Sequence, residues 1–296
     1  MAQETRSIVV TGASSGIGRA TALRLARAQW RVFATVRSDK DGEALRREAG
    51  DALEPIRLDV TDQQSIAAAA TLVEEKLAGR GLDALFNNAG VGALCPVEYM
   101  SPEALIEAFS INLFGQIAVI QAFLPTIRRA RGRIVNAGSV ADYLTPPFAG
   151  LLAGSKSAFA AMTAALRLEL RTQGIHVILI EPGAINTPAV DKTLGAIDDT
   201  IAALPDGAAQ TYGPAMRTMA DAFARTERAG SSPDVVAKIV ERALNGHRPR
   251  ARYAAGKQSL ALKWLAWALP DRLLDAVILK VFGLSAPAVG QSSQSG

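Results

Sequence analysis

Cysteine is nearly absent from this chain. Cys95 is the only one in 296 residues, so no disulfide framework forms within it, and a reducing, cytoplasmic setting is expected. Histidine is almost as scarce. His176 sits in a strand-like run and is expected in the core, whereas His247 follows Gly246 on a surface turn; no His/Cys/Asp group has metal-ligand spacing, so no metal site is expected. A dominant charge sign is also missing: the net charge is +4, and the cations are scattered rather than clustered, which argues against a nucleic-acid partner. Met1–Ser7 is polar and lacks the apolar stretch of a signal peptide. Long uncharged apolar runs are lacking as well. Ser259–Leu284 is strongly apolar, but Lys263, Asp271, Arg272, Asp275 and Lys280 interrupt it and Pro270 breaks it. A spanning helix needs about twenty nearly uncharged residues, so two short amphipathic helices are expected here instead. Their apolar faces have two candidate covers, the protein itself (body or neighbouring subunit) or a peripheral membrane contact. The tail Ala288–Gly296 is expected to be disordered.

What is present is a chain that is 49% hydrophobic, enough for a full core, in which short β-branched runs alternate with longer helical patterns. Candidate strands are Ser7–Thr11, Arg31–Val36, Glu54–Arg57, Ala84–Asn87, Gly132–Asn136 and His176–Glu181, all nearly continuous in apolar character, as in strands covered on both faces. Helix-period spacing marks Gly18–Ala28, Gln63–Leu77, Pro102–Arg129 and Ser155–Gln173, and Ser101-Pro102-Glu103 is a helix start. The expected fold is α/β: one doubly wound Rossmann domain over residues 1–250, its parallel sheet flanked by helices. A weakly periodic lid insertion covers about 184–230, and residues 251–296 form an amphipathic C-terminal extension and tail.

The sharpest motif is Thr11-Gly12-Ala13-Ser14-Ser15-Gly16-Ile17-Gly18, directly after the first strand and opening the first helix. Gly12 suits a tight turn, Gly16 admits the backbone of the turn close to a pyrophosphate, and Gly18 allows close helix packing. The free N–H groups and dipole of the helix favour negative charge there. The context of strand, turn and helix is the one a dinucleotide site requires. At the end of the second strand an NAD site carries a carboxylate for the ribose hydroxyls. This chain has Val36 and then Arg37, whose guanidinium suits a 2′-phosphate, so NADP(H) is the expected cofactor; a solvated surface arginine is the alternative for Arg37.

The spacing G-x-x-x-G-x-G, followed in order by Asp59-Val60, Asn87-Asn88-Ala89-Gly90, Asn112, Ser139, Lys156 and Pro182-Gly183 with Thr187, resembles the short-chain dehydrogenase/reductase family over about residues 6–250. The resemblance implies that Asp59 and Val60 hold the adenine, that Asn88, Ala89 and Gly90 line the cofactor, and that Pro182, Gly183 and Thr187 flank the nicotinamide. It also implies that Ser139 orients substrate, that Asn112 holds a water near Lys156, and that a tyrosine four residues before the lysine donates the proton. Plain turn chemistry is the alternative for Asp59 and Asn88, and a cap or turn hydroxyl for Ser139.

At the tyrosine's position stands Leu152, with no titratable atom. Tyr143, in the loop after Ser139, is either a substitute donor or pocket wall; Tyr99, Tyr212 and Tyr253 fall in loop or lid stretches. The expected activity is therefore an NADP(H)-dependent oxidoreductase interconverting a small apolar ketone or aldehyde and its alcohol, impaired or altered at Leu152. A cofactor-binding pseudoenzyme and non-redox use of the scaffold are the alternatives. The resemblance further implies a homodimer or homotetramer built on Pro102–Arg129 and Ser155–Gln173.

Overall fold

The computed structural model describes residues 5–284. The polar N-terminal residues 1–4 and the expected tail 288–296 lie outside the described residues. Strands β1 (Ser7–Val10), β2 (Arg31–Val36), β3 (Leu53–Arg57), β4 (Ala84–Asn87), β5 (Arg133–Ala137), β6 (His176–Pro182) and β7 (Arg252–Ala255) form one sheet in the order β3-β2-β1-β4-β5-β6-β7. Every pairing is parallel. The order reverses between β1 and β4, and ligands of such sheets bind in the crevice beyond the strand ends at that point.

Parallel strands need covering on both faces, and the two faces carry separate cores. On one face, α1 (Gly16–Arg27) and α10 (Pro233–Asn245) bury Ala22, Leu25, Val236 and Val240 against Ile8, Val10 and Ile180. On the other, α3 (Gln63–Leu77), α5 (Gly115–Ala130) and α6 (Gly150–Glu169) bury Val73, Leu77, Val119, Phe123 and Phe159 against Val9, Leu85 and Ile134. Fully burying each of these large side chains stabilises by about 1.5–3 kcal/mol.

Several stretches differ from the sequence pattern. Pro102–Arg129 is not one uniform helix: α4 (Pro102–Phe109) passes through a wider π-turn at Ser110–Phe114 before α5 begins. That turn contains Asn112, a poor helix former. Pro102–Ala130 is also long and apolar enough to cross a membrane by length and composition. Its buried residues Val119, Ile120, Phe123 and Ile127 are nonetheless spent on the sheet. Helix α6 starts at Gly150 rather than Ser155, so Lys156 lies in its second turn and not at its N-terminus. Helix α2 (Asp39–Ala49) has only Gly42 and Leu45 buried and therefore no readable stripe.

The lid stretch is helical, as α7 (Pro188–Gly195), α8 (Ile197–Ala202) and α9 (Asp206–Arg228). These helices share a third core with Leu144 and with Ile278 and Phe282 of the C-terminal segment. The boundary expected at residue 250 falls too early, because β7 pairs with β6 and takes residues 252–255 into the sheet. Beyond it, α11 (Ser259–Ala268) and α12 (Asp271–Val281) are two short helices separated at Pro270. Trp264 and Trp267 stack edge to face on α11 and are 64% and 79% exposed. His176, expected in the core, is exposed at the first position of β6, where the strand has not yet entered the sheet's interior.

Candidate active site

The glycine turn is built by its own backbone and by Thr11. The Thr11 hydroxyl accepts from the N–H groups of Asn88 (2.7 Å) and Ala89 (3.0 Å), and Thr11 N donates to Phe86 O, locking the end of β1 to the end of β4. Gly12 and Gly16 have φ of 63° and 55°, the left-handed region that favours glycine. A Cβ on Gly18 would stand 2.2 Å from Gly12 O, so only glycine lets α1 approach the turn this closely. Ser15 precedes α1 without capping it, which leaves the first N–H groups of the helix free for an anion. Ser14 beside it is exposed, while Ile17 packs back onto the core. A Cβ on Gly16 would touch Thr187, so Thr187 borders the same crevice.

Two residues of the expected cofactor set are occupied in the protein's own turns. The Asn88 amide donates to Thr11 O at 3.0 Å, pinning the glycine turn rather than reaching into the crevice. Asp59 accepts from Thr61 N and Thr61 Oγ1 at 2.9 and 2.7 Å. These bonds, the backbone one foremost, hold its carboxyl below the usual range against a partial burial, with help from the charge of Arg37. Val60 is buried behind it, while Val36 closes the end of β2 and Arg37 is exposed beyond it. No carboxylate stands at residues 34–38, at the tip of that strand.

The second half of the site gathers around Gly90. A Cβ there would lie 3.2 Å from Asn112 Oδ1 and 3.5 Å from Lys156 Nζ, so both side chains rest against this glycine. Lys156 is buried and donates to Ala137 O at 2.8 Å; burial lowers its pKa to about 8. Asn112 is fully engaged with protein: Oδ1 accepts from Val91 N, and Nδ2 donates to Val91 O and Ser155 Oγ. Ser155 Oγ in turn donates to Leu152 O at 2.9 Å. The π-turn thus aims Asn112 at the loop after β4 and at α6 together. Sequence reasoning gave no role to Thr11, though it opens the glycine motif, and missed Gln116, which donates to Ala89 O, and Ser155. Their signals were adjacency to the glycine turn, to Asn112 one helical turn away, and to Lys156.

A turn carrying free helix N–H groups, a buried amine and glycines nearby suit an anionic dinucleotide. The model of the short chain dehydrogenase family matches residues 6–196. The chain belongs to that family.

Rat 17-beta-hydroxysteroid dehydrogenase type 6 is 35% identical over 90% of this chain and 87% of its own length. Human retinol dehydrogenase 5 is 35% identical over 95% of this chain and 90% of its own. A short-chain dehydrogenase from Streptomyces avermitilis superposes with a TM-score of 0.73 at 25% identity, covering 95% of this chain and 96% of that one. Members of this family are oxidoreductases that use NAD(P)(H).

Within this short-chain dehydrogenase, Ser139 lies two residues beyond β5 and caps the turn that follows, its Oγ accepting from Ala141 N at 3.0 Å. Leu152 is half-buried on α6 one turn before Lys156, and its Cδ2 lies 4.0 Å from where a Cβ on Gly92 would be. Tyr143 is not free: its hydroxyl donates to Ser259 O at 3.3 Å, and burial, with the nearby Glu181 charge, raises its pKa. Tyr99 and Tyr212 stack on each other, and Tyr212 donates to Glu98 Oε2. Tyr253, expected in a loop, belongs to β7. Pro182 ends β6, and Gly183 follows against the backbone of Lys257.

Proposed function

We propose that this short-chain dehydrogenase binds NADP(H) and interconverts an apolar ketone or aldehyde and its alcohol, with proton transfer weakened because Leu152 stands in the family's tyrosine position. The observation that carries the reading is the buried Lys156 amine set against Gly90 beside Asn112, together with the uncapped N-terminus of α1 after the glycine turn. When bound, the cofactor supplies or accepts hydride. The protein's own residues do the rest. Gly12, Gly16 and Gly18 shape the turn for the pyrophosphate, and Arg37 pairs with the 2′-phosphate. Asp59 and Val60 bound the adenine; Ala89, Gly90, Pro182, Gly183 and Thr187 line the path to the nicotinamide. Lys156 holds the ribose, Asn112 fixes the loop after β4 against α6, and the Ser139 hydroxyl orients the substrate oxygen. Leu152 and Leu144 present a dry wall beside it.

The names of the relatives, steroid and retinol dehydrogenases, support a bulky apolar substrate. For oligomerisation, the exposed Ile106, Phe114, Met162 and Leu168 on α4–α6 support packing against a second copy of the chain. The lone cysteine supports a reducing setting, and the exposed Trp264 and Trp267 support peripheral membrane contact.

One observation favours a second reading, a cofactor-binding protein without turnover: Leu152 has no proton to give, and Tyr143 is bound to Ser259 O. NADPH oxidation against a panel of ketones and aldehydes, beside an NADPH-binding titration, separates the two. Turnover supports the oxidoreductase, binding without turnover the second reading, and no binding of either nucleotide sinks both.

A further inference from the structure

A second charged cluster is buried beside the substrate loop, and the proposed reaction does not use it. Glu181, the residue before Pro182 in β6, is fully buried, and its two oxygens face different elements. Oε1 lies 3.0 Å from Arg252 Nε on β7, and Oε2 lies 3.1 Å from Lys263 Nζ on α11. Arg252 reaches on to Asp142 Oδ2 at 2.6 Å, and the Asp142 side chain is itself buried. Asp142 and Tyr143 belong to the loop that Ser139 opens. Tyr143 also donates to Ser259 O, and the Lys263 ammonium sits 5.7 Å from the centre of its ring.

The cluster is balanced in charge, two carboxylates inside and two cations at its rim. Removing either cation would strand a buried carboxylate, which is costly. It is not saturated, however. Asp142 Oδ1 and Glu181 Oε1 lack an aligned hydrogen-bond donor, so the parts are held through the other two oxygens, by hydrogen bonds from Arg252 to Asp142 Oδ2 and from Lys263 to Glu181 Oε2. On the far side the loop is fastened to α6, where Ser157 Oγ donates to Asp142 O. Leu144 and Phe148 pack into the lid core, which Leu262 of α11 joins.

We propose that Asp142, Glu181, Arg252 and Lys263 form a charge latch through which helix α11 fixes the loop carrying Ser139. Arg252 and Lys263 are then positioning residues for the substrate. The proposal rests on the proposed function only in giving Ser139 a substrate to orient; the latch itself is a property of the loop.

The groups facing Asp142 are Glu181 on β6, Arg252 on β7, Lys263 on α11 and Tyr143 beside it, with Arg167 of α6 lining the same groove. Burial pushes Asp142 from 3.8 up to about 6; the Glu181 charge adds to the rise, and Arg252 and Lys263 oppose it. An opened latch returns Asp142 to water and toward the ordinary carboxylate range. The closed form therefore binds the proton more tightly, so acid favours closure, and opening grows easier as pH rises through about 6.

The test is hydrogen exchange of the full chain, read by mass spectrometry on peptides spanning 139–149 and 11–18 and corrected for intrinsic rates. In the unmodified protein the loop peptide should exchange several-fold more slowly at pH 5 than at pH 7.5, and Asp142→Asn should abolish that difference. At pH 7.5, Lys263→Met should speed loop exchange about fivefold or more while the glycine-turn peptide stays unchanged. Lys263→Arg should restore it. Arg252→Met is the stronger variant; if it does not fold, Lys263→Met and the pH comparison on the unmodified chain decide alone. Loop exchange that ignores both pH and Lys263→Met would overturn the latch, as would equal acceleration of both peptides. Exchange reports on the loop without turnover, so a protein that never transfers hydride leaves the outcome readable.

Discussion

In the half of the crevice around the glycine turn, the ends of β1 and β4 are joined over a few residues by backbone groups, one threonine hydroxyl and closely approached glycines. In the other half, the loop after β5 is held from a distance, by charges on β6, β7 and α11 and by a core shared with the lid. Local construction ties the first half to a short motif and leaves it little freedom. The second half depends on residues more than a hundred positions apart, which leaves room for a changed substrate or a changed reaction while cofactor binding is kept.

The largest expected effect tests whether the site is built for function at the expense of stability. Lys156 is pushed down to about 8 by burial, from 10.5. The unfolded chain therefore holds the extra proton between these values, and the contribution of Lys156 to stability rises as pH climbs through that window. Lys156→Met should raise stability at pH 7 by about 2 kcal/mol, after loss of its bond to Ala137 O, and flatten the rise between about pH 8 and 10.5. NADPH affinity should move the other way. Thermal melts across that range, beside a titration, would show it; a less stable variant would contradict the burial cost.

Gly18→Ala comes next and attacks the local half. Its Cβ would sit 2.2 Å from Gly12 O, so the turn must shift. The expected cost is about 1–3 kcal/mol in stability, with NADPH affinity at least about tenfold weaker by calorimetry. An unchanged affinity would show that the turn is not the pyrophosphate site.

Cofactor choice is a smaller effect in the same half. NADPH should bind about tenfold more tightly than NADH, about 1.4 kcal/mol, and Val36→Asp with Arg37→Ala should invert that order. Equal affinities in the unmodified chain would remove the role of Arg37.

The smallest effect lies in the extension. Trp264→Ala with Trp267→Ala removes exposed rings and should change stability by less than about 0.5 kcal/mol, whereas deletion from Ser259 onward, which takes away Lys263, Ile278 and Phe282, should lower the melting temperature clearly. Equal losses in both variants would mean that the tryptophans are covered in solution.

The same contrast governs what could be read from the sequence. The glycine turn, β1, β2, β4, β5 and β6 and the helices α1 and α3 were legible because motif and period are local. Helix α2 escaped because its apolar face is one leucine, and β7 because Arg252-Tyr253-Ala254-Ala255 is short, opens on a charge and pairs only with β6. The lid read as weakly periodic since α9 buries many small residues, among them Ala208, Ala220 and Ala224. In the candidate site, Lys156 and Asn112 could be singled out by motif but their local surroundings could not: Asn112 sits in a π-turn, and Lys156 in the second turn of a helix whose start at Gly150 was hidden by its glycines. The partners of Asp142 were out of reach altogether, since no local pattern links position 142 to 181, 252 and 263.

Leu152 gives the most direct test of the central claim, that this is a hydride-transfer scaffold whose proton donor has been lost from an otherwise standing site. A positioned general acid contributes about 10²–10⁴ in rate. Leu152→Tyr, checked first for NADPH affinity because a phenol needs more room than leucine, should raise NADPH-dependent reduction of an accepted ketone at least about tenfold over the unmodified chain. A folded Leu152→Tyr protein that binds NADPH as tightly as its parent and gains no reductase activity would contradict the account.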